Sequence, residues 1–225
     1  METLLILHGW GSCSKNWQEV KEKLEEKGYQ VYVPDLPGFG ESVPPKTPWS
    51  VVDYVNWLNQ YCQRQNISHF FLIGNSFGGQ IATKYAIEFP AKIKKLCLVS
   101  PAVIRRKTLK KEILKKVAKF FKKIPFLRKI FYQFFIKSDY PATQGVMRQT
   151  YLKVIREDLS PLLKKISVPT LIIWGEKDKI TPLADAYFIK REIKNSQLEI
   201  IPNVGHAIHK EAREILVEKI SQFLK

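Results

Sequence analysis

Cysteine is scarce in this 225-residue chain, and the three present, Cys13, Cys62 and Cys97, lie far apart. No Cys-x-x-Cys pair occurs, which argues against a zinc knuckle or a disulfide framework and fits reduced thiols in a cytoplasmic setting. Long apolar runs are also lacking, since no stretch approaches the roughly 20 residues a membrane-spanning helix needs. The first apolar run, Thr3–Leu7, is short and has no basic start, so it reads as a buried strand and not as a signal peptide. Neither an internal repeat nor a low-complexity tract is present. Acidic residues are missing from one place in particular. Between Arg105 and Lys137 thirteen Lys or Arg face a single acid, Glu112, so most of the net charge of +16 is local to that segment. Histidine occurs four times, which limits an imidazole base to His8, His69, His206 or His209.

What is present is enough for a sizeable core, with 45% apolar residues. Short apolar runs at Thr3–Leu7, Tyr29–Val33, Phe70–Ile73, Leu96–Val99, Thr170–Trp174 and Leu198–Ile201 read as strands. Between them lie helical patterns at Trp17–Lys27, Ser50–Gln65, Phe77–Phe89, Leu183–Glu192 and Lys210–Leu224. Continuous apolar strands alternating with helices imply a parallel sheet covered on both faces. Right-handed crossovers then give a three-layer α/β/α sandwich, with its site beyond the carboxyl ends of the strands. The alternation lapses between β-rich runs, so residues 1–101 and 166–225 read as the core and 102–165 as a helical, basic lid insertion.

The strand Phe70–Ile73 runs into Gly74-Asn75-Ser76-Phe77-Gly78-Gly79, a G-x-S-x-G turn that opens a helix. A serine at such a turn projects its hydroxyl above the sheet, and the flanking glycines let strand and helix approach closely. Ser76 is therefore the candidate nucleophile. The Phe77 N–H, at the positive end of the helix, is a candidate oxyanion donor. The loop His8-Gly9-Trp10-Gly11 follows the first strand. If that strand neighbours the one before Ser76, the Trp10 N–H becomes the second donor, and the Trp10 side chain can line an acyl pocket. His8 itself reads as a structural residue of that loop.

A base and an acid are expected in loops after later strands. Asp178 lies in Trp174-Gly175-Glu176-Lys177-Asp178, and His206 ends Asn203-Val204-Gly205-His206 after the next strand. His206 would take the serine proton while Asp178 holds its other nitrogen. Glu176 is the rival acid. His209, one helical turn from His206, is expected to face the lid or solvent, and His69 lies at the wrong end of its strand.

Together these segments, with Asp35-Leu36-Pro37-Gly38-Phe39-Gly40-Glu41-Ser42, resemble the α/β-hydrolase superfamily over nearly the whole chain apart from the lid. The order Ser76, Asp178, His206 is the one that the resemblance implies. Within the superfamily the His-Gly-Trp-Gly opening is similar to that of pimeloyl-acyl-carrier methyl ester esterases and related carboxylesterases. The resemblance implies a serine esterase acting on short to medium acyl chains with no cofactor and no metal. A lactonase, a thioesterase or a carbon–carbon bond hydrolase could use the same triad. A serine in place of an aspartate nucleophile argues against haloalkane dehalogenases and epoxide hydrolases. Asp35 is expected to shape its own loop. The sequence departs from the resembled family in two ways: Asn75 stands where a histidine is common, and two strands that usually come first are not seen. The sheet should therefore have about six strands, with Tyr29–Val33 at an exposed edge.

In the basic segment, Ile113, Leu114, Val117, Phe120, Phe121 and Ile124 recur at helical spacing. Leu127, Ile130, Phe131, Phe134 and Phe135 repeat the pattern beyond Pro125. Phe120, Phe121, Phe131 and Phe134 are expected to extend the substrate pocket. The lysine-rich faces of residues 105–137 suit solvent, an acidic protein or an anionic membrane surface, which leaves open a peripheral membrane or partner-binding role. Nucleic acid is disfavoured, as no binding module is recognisable. The sequence leaves the oligomeric state open.

Overall fold

Successive side chains of a strand point to opposite faces of a sheet, and β1 (Glu2–Leu7) shows the result. Leu5 and Leu7 pack into one apolar core, and Leu4 and Ile6 into another. The same division runs through β3 (Phe70–Asn75), β4 (Ile93–Val99) and β5 (Thr170–Gly175). Leu72, Leu96 and Ile172 face one side, while Ile73, Cys97 and Ile173 face the other. These near-continuous apolar strands are buried on both faces, as a parallel sheet requires.

The computed structural model describes residues 1–105 and 144–225. Six strands form the sheet in the order β2-β1-β3-β4-β5-β6, where β2 is Tyr29–Tyr32 and β6 is Ser196–Ile201. Every pairing is parallel. The expected sandwich and its six strands are thus present, and β2 is an edge, as anticipated. The order turns back at β1 and β3, which are direct neighbours with Leu7 opposite Gly74. Such a reversal opens a crevice at the carboxyl ends of the two strands.

Helices cover both faces. Against the first core lie α2 (Val51–Arg64), α3 (Phe77–Glu88), α4 (Gly145–Val154) and α5 (Leu183–Glu192). Against the second lie α1 (Gln18–Glu25), a short α6 (Ile208–Glu211) and α7 (Arg213–Leu224). The start of α2 is set by a reciprocal capping box, in which the Ser50 hydroxyl accepts from the Asp53 N–H and the Asp53 carboxylate accepts from the Ser50 N–H. The interval 102–165 lies between β4 and β5. Its described part holds α4 and a 3₁₀ turn at Ser160–Lys165. Phe120, Phe121, Phe131, Phe134 and the basic stretch from residue 106 to 137 lie outside the described residues. Among the described residues no helix is long and apolar enough to cross a membrane. Nor is there among them a cluster of His, Cys, Asp or Glu able to hold a metal ion.

Two expectations are corrected at the C-terminal end. The pattern Lys210–Leu224 is not one helix, because the chain breaks at Ala212 (φ −144°, ψ 50°). The turn before the break is tied back to the loop carrying His206, whereas α7 follows the sheet through Leu216 and Ile220. His209 does not face the lid or solvent. It is buried and stacks on Trp17, with ring centroids 4.6 Å apart and planes 8° apart. Among the described residues neither ring nitrogen has a hydrogen-bond partner. Burial pushes its imidazole down to about 4, helped by Lys210 and His206, with Glu211 opposing.

This has a measurable result. The unfolded chain protonates His209 near its ordinary value, and the native site resists until about 4. Stability therefore falls as pH drops through that window. His209→Phe keeps the stack and removes the proton uptake. At about pH 5 the variant should be more stable than the wild type by roughly 1–2 kcal/mol, and the gap should shrink near neutrality. Thermal melts across the window would show it, and a gap that does not vary with pH would count against this account.

Candidate active site

The chain enters the site at Ser76, between β3 and α3. Its backbone is strained, with φ 52° and ψ −111°, in a region that side chains rarely adopt. The surrounding bonds hold it there. The Ser76 N–H donates to the Val99 carbonyl at 3.0 Å, and the Ser76 carbonyl accepts from Gln80 at 3.1 Å and Ala102 at 2.9 Å. The glycines on either side are required by space: a Cβ on Gly74 would lie 2.5 Å from the Gly78 carbonyl oxygen, and one on Gly78 would strike the Leu7 carbonyl. Asn75 is buried and donates its side-chain amide to Val99.

The β1 loop meets this turn from the neighbouring strand. Gly9 is so close that a Cβ built on it would stand 3.3 Å from the Ser76 Cβ. Trp10 packs edge-on against Phe77 and Phe39 and at a tilt against Tyr151 of α4. His8 is buried within the same loop, where its Nε2 accepts the Leu36 N–H at 3.0 Å and its Nδ1 donates to the Gly9 carbonyl at 2.8 Å. Both nitrogens are engaged, and burial lowers its pKa against the pull of the Gly9 bond and Asp35. The Asp35 carboxylate accepts from Ser14 and Glu41 N–H groups, closing its own loop.

Asp178 and His206 come from the ends of adjacent strands, β5 and β6. His206 Nδ1 and Asp178 Oδ2 are 2.7 Å apart. The same Oδ2 accepts the Thr181 hydroxyl at 2.7 Å, and Oδ1 accepts the N–H groups of Ile180 and Thr181 at 2.8 and 2.9 Å. Burial by itself would raise the Asp178 pKa. The hydrogen bonds from His206 and Thr181, with the nearby imidazole, outweigh it and bring the carboxyl to about 2. This aspartate is fixed as an acceptor, so His206 carries its proton on Nδ1 and leaves Nε2 free to accept one.

Glu176, the rival acid, is turned elsewhere and accepts the Asn203 N–H at 2.8 Å. Glu211 accepts the Gly205 N–H at 2.7 Å and the Ala207 N–H at 3.3 Å, on the two sides of His206. His69 is at the opposite end of β3, exposed beside Ser68.

Ser76 and His206 line one cavity of about 550 Å³. Trp10, Phe77, Val154 and Ile180 give it an apolar wall, while Gln80 and Arg105 bring polar groups. This places the predicted pocket residue Trp10, while the four predicted phenylalanines lie outside the described residues. A family model for the alpha/beta hydrolase fold matches residues 2–151 and 135–212. The chain belongs to the α/β-hydrolase family.

Relatives of this α/β hydrolase include Lipase 3 of Moraxella sp., which is 30% identical over 91% of this chain and 71% of its own length. The monoacylglycerol lipase ABHD6 of Mus musculus is 28% identical over 99% of this chain and 75% of its own. Among solved structures, an esterase from Exiguobacterium antarcticum superposes with a TM-score of 0.78 at 25% identity, covering 100% of this chain and 92% of that one. Several residues that shape the hydrolase's site escape sequence reasoning. Thr181 and Glu211 were readable in principle, as short-range acceptors or donors within a few residues of Asp178 and His206. Gln80 and Arg105 were not, because α3, α4 and the end of β4 meet only in the folded chain.

Proposed function

We propose that this α/β hydrolase cleaves carboxylic esters of short to medium acyl chains through an acyl-enzyme on Ser76. The Asp178–His206 pair at 2.7 Å, opening on the cavity that Ser76 also lines, is the observation that carries this reading. The lipases and the esterase among its relatives and structural neighbours support the ester as the substrate class.

In this reading Ser76 Oγ attacks the ester carbonyl while His206 Nε2 takes its proton. Asp178 holds the imidazole through Nδ1–H and stabilises the imidazolium. The oxyanion is received by backbone N–H groups. Phe77 is the first residue of α3, where helical N–H groups lack an intrahelical acceptor, and Trp10 is presented by the loop packed on Ser76. His206 then protonates the departing alcohol and activates the water that frees the acid.

The test is a series of p-nitrophenyl esters from acetate to dodecanoate, combined with a fluorophosphonate that labels activated serines. The expected result is a rate that peaks at short to medium chains and a single adduct on the peptide containing Ser76. Hydrolysis of lactones or thioesters but of no oxyester would move the substrate class. An adduct on any other residue would remove Ser76 as the nucleophile.

A further inference from the structure

A cation lines the same cavity as Ser76 and His206. Arg105 follows β4 and contributes to the wall together with Gln80, Tyr151 and Val154. A guanidinium in a largely apolar, partly desolvated site is costly unless an anion offsets it. Yet among the described residues no carboxylate lies within ion-pair distance of Arg105. The acids around it are committed to other bonds or lie at longer range. Glu157 pairs with Lys84 at 2.6 Å, and Asp158 Oδ1 accepts the Arg105 and Ser160 backbone N–H groups. Burial lowers the Arg105 pKa, and the fields of Asp158, Tyr151, Glu157 and Asp185 oppose it.

The guanidinium is held in place without being used up. One terminal nitrogen, Nη2, donates to Gln80 Oε1 at 3.1 Å and to the Val154 carbonyl at 3.4 Å. Gln80 is fixed in turn, because its amide donates to the Val154 and Glu157 carbonyls at 3.2 Å. Among the described residues neither the buried Nε nor the other terminal nitrogen, Nη1, has a hydrogen-bond partner, and it is the Nη1 end that a ligand in the cavity can reach. A donor of fixed direction, charged at every working pH and without an ion-pair partner among the described residues, is what a carboxylate-bearing ligand would meet.

We propose that Arg105 is an anion subsite, and that the preferred substrates are esters carrying a carboxylate on their acid or alcohol portion. The proposal rests on the ester-hydrolase reading and narrows it. In the alternative, purely structural role, Arg105 only ties the end of β4 to α3 and α4.

Two matched substrate pairs separate these cases and place the anion. Monomethyl glutarate against methyl pentanoate probes the acid side. Acetoxypropanoate against propyl acetate probes the alcohol side. The wild type should favour the charged member of one pair, chiefly through KM. In Arg105→Gln the ratio of kcat/KM for the charged over the neutral ester should fall by about ten- to a hundred-fold, the size of one charge-assisted hydrogen-bonded contact. Arg105→Lys keeps the charge without the planar fork and should retain part of that ratio. Calorimetric titration of Ser76→Ala with monomethyl glutarate and with acetoxypropanoate reads the subsite without turnover. Binding of at least one of them should weaken by a similar factor in Ser76→Ala/Arg105→Gln. Equal treatment of charged and neutral esters by the wild type would overturn the proposal. So would a ratio that stays constant while both rates fall in Arg105→Gln. If no ester is hydrolysed at all, the ester reading fails, and the titration alone decides the subsite: Arg105-dependent binding upholds it, and its absence overturns it.

Discussion

Ser76→Ala is expected to lower p-nitrophenyl butyrate turnover by about 10⁴-fold or more, since removing the nucleophile of a triad leaves only binding and oxyanion stabilisation. The protein should remain folded. Alanine keeps the Cβ, so the backbone at φ 52° gains no relief and loses no hydrogen bond. All three bonds that fix this turn use the main chain, from the Ser76 N–H to Val99 and from Gln80 and Ala102 to the Ser76 carbonyl. The melting temperature should therefore match that of the wild type, so that lost activity reports on chemistry and not on folding. Ser76→Gly is the informative contrast. It would be equally inactive but free of strain worth about 1–3 kcal/mol, less the greater backbone freedom of glycine when unfolded. A Ser76→Ala protein with wild-type turnover would remove this residue from the reaction.

Asp178→Asn is expected to cost about 10³- to 10⁴-fold in kcat with little change in KM, by inverting the imidazole. The Asn carbonyl can still accept the Ile180 and Thr181 N–H groups that Oδ1 receives now. Its amide would then sit where Oδ2 accepts both Thr181 Oγ1–H and His206 Nδ1–H. An amide donates, so Nδ1 must become an acceptor and the ring proton must move to Nε2, the atom that should receive the serine proton. Stability has a pH signature of its own. Asp178 is depressed to about 2, so the stability it adds is complete above its ordinary value of 3.8 and is lost as pH falls towards 2. Melts of wild type and variant should thus differ most near neutrality and converge in strong acid. An Asn variant with normal kcat would mean that another acid orients His206, with Glu176 the first to test.

The strands were legible because apolar runs of β-branched and aromatic residues are bounded by Gly, Pro and polar residues, and the sheet places them as read. The turn around Ser76 was legible for a related reason: its glycines answer to backbone contacts that any chain in this geometry must make. The pairing of Asp178 with His206 could be anticipated from their positions after consecutive strands. His209 was placed outward from its distance of one helical turn from His206, whereas the ring packs inward on Trp17. The actual turn begins at Ile208 and is oriented by Glu211, a contact that no periodicity reveals. The Gln80–Arg105 arrangement was beyond reach for a different reason. It joins α3, α4 and the end of β4, and its geometry exists only once those elements are packed. The number of strands followed from the pattern, but their order required the pairing of β1 with β3.

The loop from Pro202 to Ala207 has no regular structure, yet it is fastened at both ends by carboxylates, Glu176 on Asn203 and Glu211 on Gly205 and Ala207. Surface loops ordinarily absorb insertions at small expense. This one is tied at two points close to His206. One extra amino acid between Ile201 and Gly205 would add about 3.8 Å of chain. The extra length must bulge out between the two fasteners or break the Asn203–Glu176 bond, so that Glu211 alone would be left to hold the backbone on either side of His206. Because the fasteners grip backbone N–H groups, drift here is freer in residue type than in length.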